Sequence, residues 1–267
     1  PYPEMDYSGA FPVPTGNTLY SAYTTQGNPN LKPETSDNFE IGLKTIKPKY
    51  ELSLTAFYQK FKDFLDQSAK DGTTSLTTLP NVSGGTINNV QIYRTKNVSK
   101  AKIYGVELDS IYYFDKKEDG FSFKNSLAFQ VGDDETANEP LQTVNPLSLV
   151  SNLKYIFPNK KFVVNLSNTF TGVPRLNSDY KKGYPISRTE YSNTYYQPKS
   201  YNVTDLQLAY KVNDSLTTNL GIYNIFDTTY YKWSDLRSNG VAGSDDKYYQ
   251  RYAQPGTSIQ AGFSWRF

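Results

Sequence analysis

Glu107 and Asp109 stand two residues apart in Tyr104-Gly-Val-Glu-Leu-Asp109. On a β-strand that spacing puts both carboxylates on one face, which is what a single strand would contribute to the carboxylate pair of a glycosidase. The plainer reading of the same spacing is polar wall lining a pore, and little else in the chain supports covalent chemistry. The 267 residues contain no His and no Cys, which removes the commonest general base and metal ligand, any thiolate nucleophile and any disulfide framework. Arg94, Lys96, Lys100 and Lys102 share one parity and read as lining of the same pore or its rim. A net charge of +2, with no compact basic cluster interleaved with aromatics, gives no footprint for nucleic acid.

The elements that position these residues are strands. In the last stretch, Thr257 to Phe267, Ile259, Ala261, Phe263, Trp265 and Phe267 alternate with Ser258, Gln260, Gly262, Ser264 and Arg266, so one face is apolar and the other polar. The chain is 37% hydrophobic and 15% aromatic, with 24 Tyr against one Met and two Trp. A Tyr ring is apolar with a polar tip and suits a membrane–water boundary. Mean hydropathy is −0.63 and no apolar run is long enough for a spanning helix. Alternating barrel strands average to just such a polar value.

Residues 1–35 carry Pro, Gly, Tyr, Asn and Thr without a period and read as a loop with at most short paired pieces. From Ser36 onward the alternation predicts nine strands, joined by short turns at 46–49, 115–120, 158–161 and 213–214 and by long loops at 66–90, 132–145, 172–199 and 232–256. The strand after Leu216 is predicted to run on to Tyr231. Short connections on one side and long ones on the other are the mark of an outer-membrane barrel, and a soluble sandwich has no reason to sort its loops this way. Tyr58, Tyr112, Tyr155, Phe157 and Tyr230 fall near strand ends as girdle residues. A nine-stranded set leaves unpaired edges that lipid does not tolerate. The expectation is therefore an all-β transmembrane antiparallel barrel of which this chain is the C-terminal part, with residues 1–35 an extracellular loop segment and 36–267 barrel. Pro1-Tyr-Pro-Glu4 likewise reads as the middle of a protein.

Gly27-Asn-Pro-Asn-Leu-Lys-Pro-Glu-Thr-Ser36, followed by Phe39-Glu-Ile-Gly-Leu-Lys44, resembles the box that opens a barrel strand in TonB-dependent outer-membrane receptors. Asn97-Val-Ser-Lys-Ala-Lys-Ile-Tyr-Gly-Val-Glu-Leu108 and Gly221-Ile-Tyr-Asn-Ile-Phe-Asp-Thr-Thr-Tyr-Tyr231 are similar to two further strands of that family, and the terminal Phe267 fits its assembly signal. Tyr231-Lys-Trp-Ser-Asp-Leu-Arg237 and Tyr249-Gln-Arg-Tyr-Ala-Gln-Pro-Gly256 resemble the haemoglobin/haem and transferrin/lactoferrin branch. The resemblance implies an N-terminal plug and a barrel of about 22 strands, with the plug and the early strands outside this chain.

It also implies a receptor of a Gram-negative outer membrane, not an enzyme, that imports haem iron and is energised by the TonB complex through the N-terminal region. Haem is then a transported ligand rather than a resident cofactor, taken bare, from haemoglobin or from a secreted haemophore, and no structural metal is implied. Family members with haem as cargo offer an external His ahead of the box. This chain has Tyr20 and Tyr23 there, with Tyr7 further out, and a phenolate is a workable iron ligand. The plainer reading of the same tyrosines is loop packing or an interface. Asn28, Pro29, Asn30 and Leu31 form the box itself, where ligand contact competes with a structural role, Pro29 and Pro33 fixing the backbone. Tyr180, Tyr184, Arg188, Tyr191, Tyr195 and Tyr196 form the loop expected to meet a partner protein, since Tyr and Arg favour interface cores. The competing expectations are a siderophore or transferrin-type receptor of the same fold and a non-transporting adhesin.

Overall fold

Alternation of apolar and polar side chains resolves into a meander of strands. The structure, a computed structural model, describes residues 7–13, 19–76, 87–115, 119–176, 196–237 and 247–267. The strands are β1 (Tyr7–Val13), β2 (Leu19–Gln26), β3 (Thr35–Ile46), β4 (Tyr50–Leu76), β5 (Ile87–Tyr113), β6 (Gly120–Asp134), a two-residue β7 (Glu139–Pro140), β8 (Ser148–Ile156), β9 (Phe162–Thr171), β10 (Tyr201–Lys211), β11 (Leu216–Tyr223) and β12 (Ser258–Trp265). The helical pieces described are α1 (Trp233–Arg237) and a 3-10 turn, Lys247–Tyr252. The backbone falls into two compact units, residues 1–37 with 60–101, and residues 38–59 with 102–267.

In the first unit β1 and β2 form an antiparallel hairpin, and β2 runs parallel to β5 through Tyr23 opposite Gln91. The paired pieces expected within residues 1–35 are this hairpin. The loop expected at 66–90 is a different matter: β4 continues to Leu76 and β5 starts at Ile87. Gln67-Ser-Ala-Lys-Asp-Gly-Thr-Thr-Ser75 has no apolar period, so nothing in its pattern signals a strand. Main-chain hydrogen bonding between strands requires no particular side-chain period.

In the second unit neighbours pair in chain order, β3-β4-β5-β6-β8-β9-β10-β11-β12, with β7 set against β6. The register stacks like residues across strands. Phe123, Leu153, Leu166, Leu206, Ile222 and Ile259 form one row. One residue along, Ser122, Lys154, Asn165, Gln207, Gly221 and Gln260 form the next, on the opposite face. The polar row lines a concavity of about 810 Å3. The apolar face is bare, with Phe39 65%, Phe263 74% and Trp265 62% exposed. Trp265 lies opposite Leu216 and Phe263 opposite Thr218, on the face that carries Leu220 and Ile222, so the predicted register of the last strand holds.

Among the described residues few apolar side chains are buried: Ala101, Leu176, Val203, Trp233 and Leu236, with Pro174 and Pro198. A soluble chain would hide most of its large hydrophobics, because each costs ~25 cal/mol per Å2 of apolar area left in water; here they recur on the same face of successive strands and stay exposed. One polar row crosses that face. Asn125, Ser151, Asn168 and Thr204 lie opposite one another, and the row bonds within itself, Ser151 Oγ to Asn125 Oδ1 at 2.7 Å and Asn168 Nδ2 to Thr204 Oγ1 at 2.9 Å. That internal bonding removes most of the cost of polar groups on an apolar surface.

Antiparallel neighbours reverse at each connection, so the short turns at 47–49, 114–119, 157–161 and 212–215 gather at one end of this sheet and the long connections at the other. The short-turn end carries a girdle of rings: Tyr112 with Phe114 (5.1 Å between centroids), Phe121 with Tyr155 (4.4 Å), Tyr155 with Phe157 (4.8 Å) and Phe157 with Phe162 (5.1 Å). Tyr58 stacks at 6.5 Å on Tyr104. Tyr230 instead packs on Tyr201 at 4.7 Å, at the long-connection end. Gly105 permits β5 and β6 to approach, since a Cβ there would drive into the Phe129 carbonyl and the Phe57 ring.

Candidate functional site

Two clusters stand out, one in each unit, and each is built from a sequence landmark. In the first unit the Asn28-Pro29-Asn30-Leu31 box is a tight turn. The Asn30 N–H donates to Asn28 Oδ1 at 3.0 Å, an arrangement Asn favours in turns, and Asn28 Nδ2 donates to the Thr95 carbonyl at 3.0 Å. Pro29 fixes φ between them. Asn97, from the second landmark, then holds the chain leaving the turn as a strand neighbour would. Its Oδ1 accepts the Lys32 N–H at 2.8 Å, and its Nδ2 donates to the Lys32 carbonyl at 2.9 Å and the Asp63 carbonyl at 2.6 Å. Asp63 sits at φ 55, so the amide also pins an irregularity of β4. Glu34 Oε2 accepts the Leu65 N–H at 3.1 Å and Asp37 pairs with Lys62 at 3.1 Å. Pro29 and Asn30 remain exposed and Leu31 is half-buried.

Tyr7, Tyr20 and Tyr23 lie on the hairpin, with backbones opposite Thr25, Pro12 and Gly9. Their side chains are outside the described residues, as are Tyr180, Tyr184, Arg188, Tyr191 and Tyr195, which fall within 177–195.

In the second unit the landmark after β11 does not continue as strand to Tyr231. It turns at Asn224 and Asp227, both at φ 51 and both of a residue type that tolerates the left-handed region. Asn224 is 3% exposed and fully engaged. Its Nδ2 donates to the carbonyls of Thr228 (2.9 Å) and Pro255 (3.2 Å), its Oδ1 accepts the Thr228 N–H (2.9 Å), and its N–H donates to Asp205 Oδ1 (2.7 Å). Thr257 Oγ1 donates to the Asn224 carbonyl at 2.7 Å, and the Thr257 N–H donates to Asp227 Oδ1 at 3.0 Å. The turn thereby ties the end of β11 to the start of β12 across the connection.

That connection returns over a cluster of Leu176, Trp233 and Leu236 with Tyr196, Tyr231, Tyr249 and Tyr252 packed on it. Tyr196 stacks on Tyr249 at 4.5 Å and 9°, and Tyr231 meets both edge-on at 5.0 and 5.5 Å. Trp233 Nε1 donates to the Gln142 carbonyl at 2.9 Å, Arg237 Nη1 donates to the Thr143 carbonyl, and Gln254 Nε2 reaches Asp235 Oδ2 at 3.0 Å. Three long connections therefore dock on one another. Segments 231–237 and 249–256 supply most of the rings and polar contacts that do this. Tyr196, expected at a partner interface, is here a packing ring, half-buried. The sequence reading missed this cluster; the i, i+3 spacing of Trp233 and Leu236 is the signal that could have found it.

Burial raises the Tyr196, Tyr230 and Tyr231 phenols above their ordinary range, with neighbouring Tyr231 and Tyr249 adding at Tyr196, Tyr201 and Asp205 at Tyr230, and Tyr249 at Tyr231. A phenol held protonated is a poor ligand for ferric iron; these rings are suited to stacking and hydrogen bonding. On the polar face Asp109 Oδ1 accepts the Ser126 hydroxyl at 2.5 Å. Lys102 pairs with Glu135 at 3.4 Å, and in the first unit Arg94 donates to Gln26 Oε1 at 2.6 Å. Among the described residues no group of three His, Cys, Asp or Glu side chains gathers.

Residues 5–225 match the family model described as TonB dependent receptor-like, beta-barrel. The chain is 29% identical over 245 residues to the probable hemoglobin and hemoglobin-haptoglobin-binding protein 4 of Haemophilus influenzae, covering 88% of this chain and 24% of that protein. It is 27% identical over 291 residues to the hemoglobin-haptoglobin utilization protein B of Neisseria meningitidis serogroup C, covering 98% and 35%. It is 28% identical to the probable TonB-dependent siderophore receptor PirA of Acinetobacter baumannii, covering 91% and 31%. The crystal structure of the siderophore receptor PirA from that organism superimposes with a TM-score of 0.67, at 24% identity, over 93% of this chain and 34% of that one. The chain thus spans between 24% and 35% of these relatives' length.

Proposed function

From the premise that this chain belongs to the TonB-dependent receptor-like β-barrel family, we propose that it is the C-terminal barrel portion of an outer-membrane receptor that takes up haem iron with haemoglobin as a source. The observation that carries the reading is sequence likeness to hemoglobin-binding receptors over 88% and 98% of the chain. A bare apolar face with a ring girdle at one end supports an outer-membrane location in a Gram-negative cell, with the long connections outside. The protein is a transporter and not an enzyme: Glu107 and Asp109 are wall of the polar face, and the import step is driven by the TonB complex acting through the N-terminal region. Haem is the cargo rather than a resident group. Tyr7, Tyr20 and Tyr23 and the exposed Pro29 and Asn30 are assigned to the cargo side of the first unit, and the 177–195 segment with Tyr180, Tyr184, Arg188, Tyr191 and Tyr195 to contact with haemoglobin or a haemophore.

The test uses the full-length receptor. A deletion strain starved of iron loses growth on haemoglobin and keeps it on ferric siderophores, and replacing Tyr20 and Tyr23 with Phe changes the haem absorption spectrum of the purified receptor. Unimpaired growth on haemoglobin rejects the proposal. A loss confined to a ferric siderophore selects the second reading, a siderophore receptor, which likeness to PirA favours.

A further inference from the structure

The polar row on the apolar face of the second unit is confined to four neighbouring strands, with Asn125 on β6, Ser151 on β8, Asn168 on β9 and Thr204 on β10. Its internal bonds leave groups over. Asn125 Oδ1 accepts the Ser151 hydroxyl and Asn168 Nδ2 donates to Thr204 Oγ1, while Asn125 Nδ2 and Asn168 Oδ1 have no hydrogen-bond partner among the described residues. Both asparagines are half-buried and neither atom is enclosed by protein, so these groups open on the outer surface. Apolar rows bound them on both sides, Phe123, Leu153 and Leu166 toward the short turns and Leu127, Leu149 and Phe170 toward the long connections. The ring girdle gives the depth. Ser151 stands six residues from Phe157, which is ~20 Å along a strand and ~14 Å along the membrane normal at a tilt of about 45°. The apolar band of such a barrel is about 25 Å tall, so the row lies near its middle.

Neither water nor a headgroup reaches that depth, and an acyl chain cannot hydrogen-bond. An amide left open there is costly unless a protein group meets it. Within two rows on either side no Asp, Glu, Lys or Arg shares this face, so the matching surface is uncharged, apolar and crossed by amides. This face is such a surface. An amide both donates and accepts, so the row complements a second copy of itself, and a two-fold pairing sets one patch against the same patch. We propose that the row is the contact through which two copies of the receptor pair side by side within the outer membrane, the spare amide groups of Asn125 and Asn168 hydrogen-bonding across the interface. The proposal rests on the outer-membrane reading above.

The experiment uses two differently tagged copies of the full-length receptor in one cell, each with a photo-crosslinking residue in place of Leu153, in the row next to the asparagines. Illumination joins the two tags. The same residue in place of Phe263, 74% exposed on the same face but four strands from β8, does not. Asn125→Leu with Asn168→Leu extends the apolar face, so the receptor still reaches the outer membrane, and the Leu153 cross-link falls about tenfold as the bonds between copies are lost. Unjoined tags without the double substitution overturn the proposal whatever the variant's yield. So do a Leu153 cross-link to a protein of another kind, equal cross-linking from Phe263, which marks crowding, and a cross-link that the double substitution leaves at full strength. A receptor absent from the outer-membrane fraction overturns the outer-membrane reading itself; a receptor present there with unjoined tags overturns this contact alone.

Discussion

Replacing Asn224 separates what its side chain does from what its backbone needs. The amide makes three hydrogen bonds, to Thr228 twice and to Pro255, in a position 3% exposed. At about 1 kcal/mol net each, Asn224→Gly loses ~3 kcal/mol of local stability while keeping easy access to φ 51. Asn224→Ala loses the same bonds and adds ~1 kcal/mol for holding a Cβ in the left-handed region. The assay is hydrogen exchange of the 224–231 segment in the full-length receptor, because the Ile225 and Asp227 amides bond to the Thr204 and Asn224 carbonyls. Exchange there accelerates on the order of a hundredfold in the Gly variant. It accelerates severalfold more in the Ala variant, with the remaining strands unaffected. Equal rates in the two variants would show that the positive φ carries no strain. Rates within about threefold of wild type in both would refute the turn as the tie between β11 and β12.

Three further outcomes are expected. Gly105→Ala blocks the approach of β5 to β6, since its Cβ meets backbone at Phe129, and lowers the yield of folded receptor in the outer membrane; wild-type yield would contradict that packing. Asn97→Leu frees both the Lys32 backbone and the Asp63 carbonyl, costing ~2–3 kcal/mol, and limited proteolysis then cuts near residue 32, whereas continued resistance assigns the loop's order to other contacts. The raised phenols of Tyr196, Tyr230 and Tyr231 stabilise the docked connections fully below their ordinary value of 10.0 and lose that contribution as pH climbs through the raised values. Near-ultraviolet dichroism of the rings therefore holds to about pH 10 and declines above it, and a decline beginning below about pH 9 would exclude the burial described.

Much was legible in the sequence because strand alternation is local. Phe263 and Trp265 must share a face, and Gln260 must take the other, whatever surrounds them. That period fixed the nine main strands, the face each residue takes and the ordering of short and long connections, and the Pro and Asn of the box declared a turn. The sequence did not disclose that 67–75 is strand, since main-chain hydrogen bonding requires no particular side-chain period. Nor did it disclose that Asn97, 65 residues from Lys32, completes the box, or that Trp233 reaches Gln142 across 91 residues. Hydrogen bonds between distant segments depend on register and on where three connections meet, and neither is written in any one segment. The landmark at 221–231 promised a strand through its alternating apolar residues; Asn224 and Asp227 end it at Tyr223 because the Asn224 N–H meets Asp205 of β10 and the two side chains meet Pro255 and Thr257 just ahead of β12, partners that only the assembled sheet supplies.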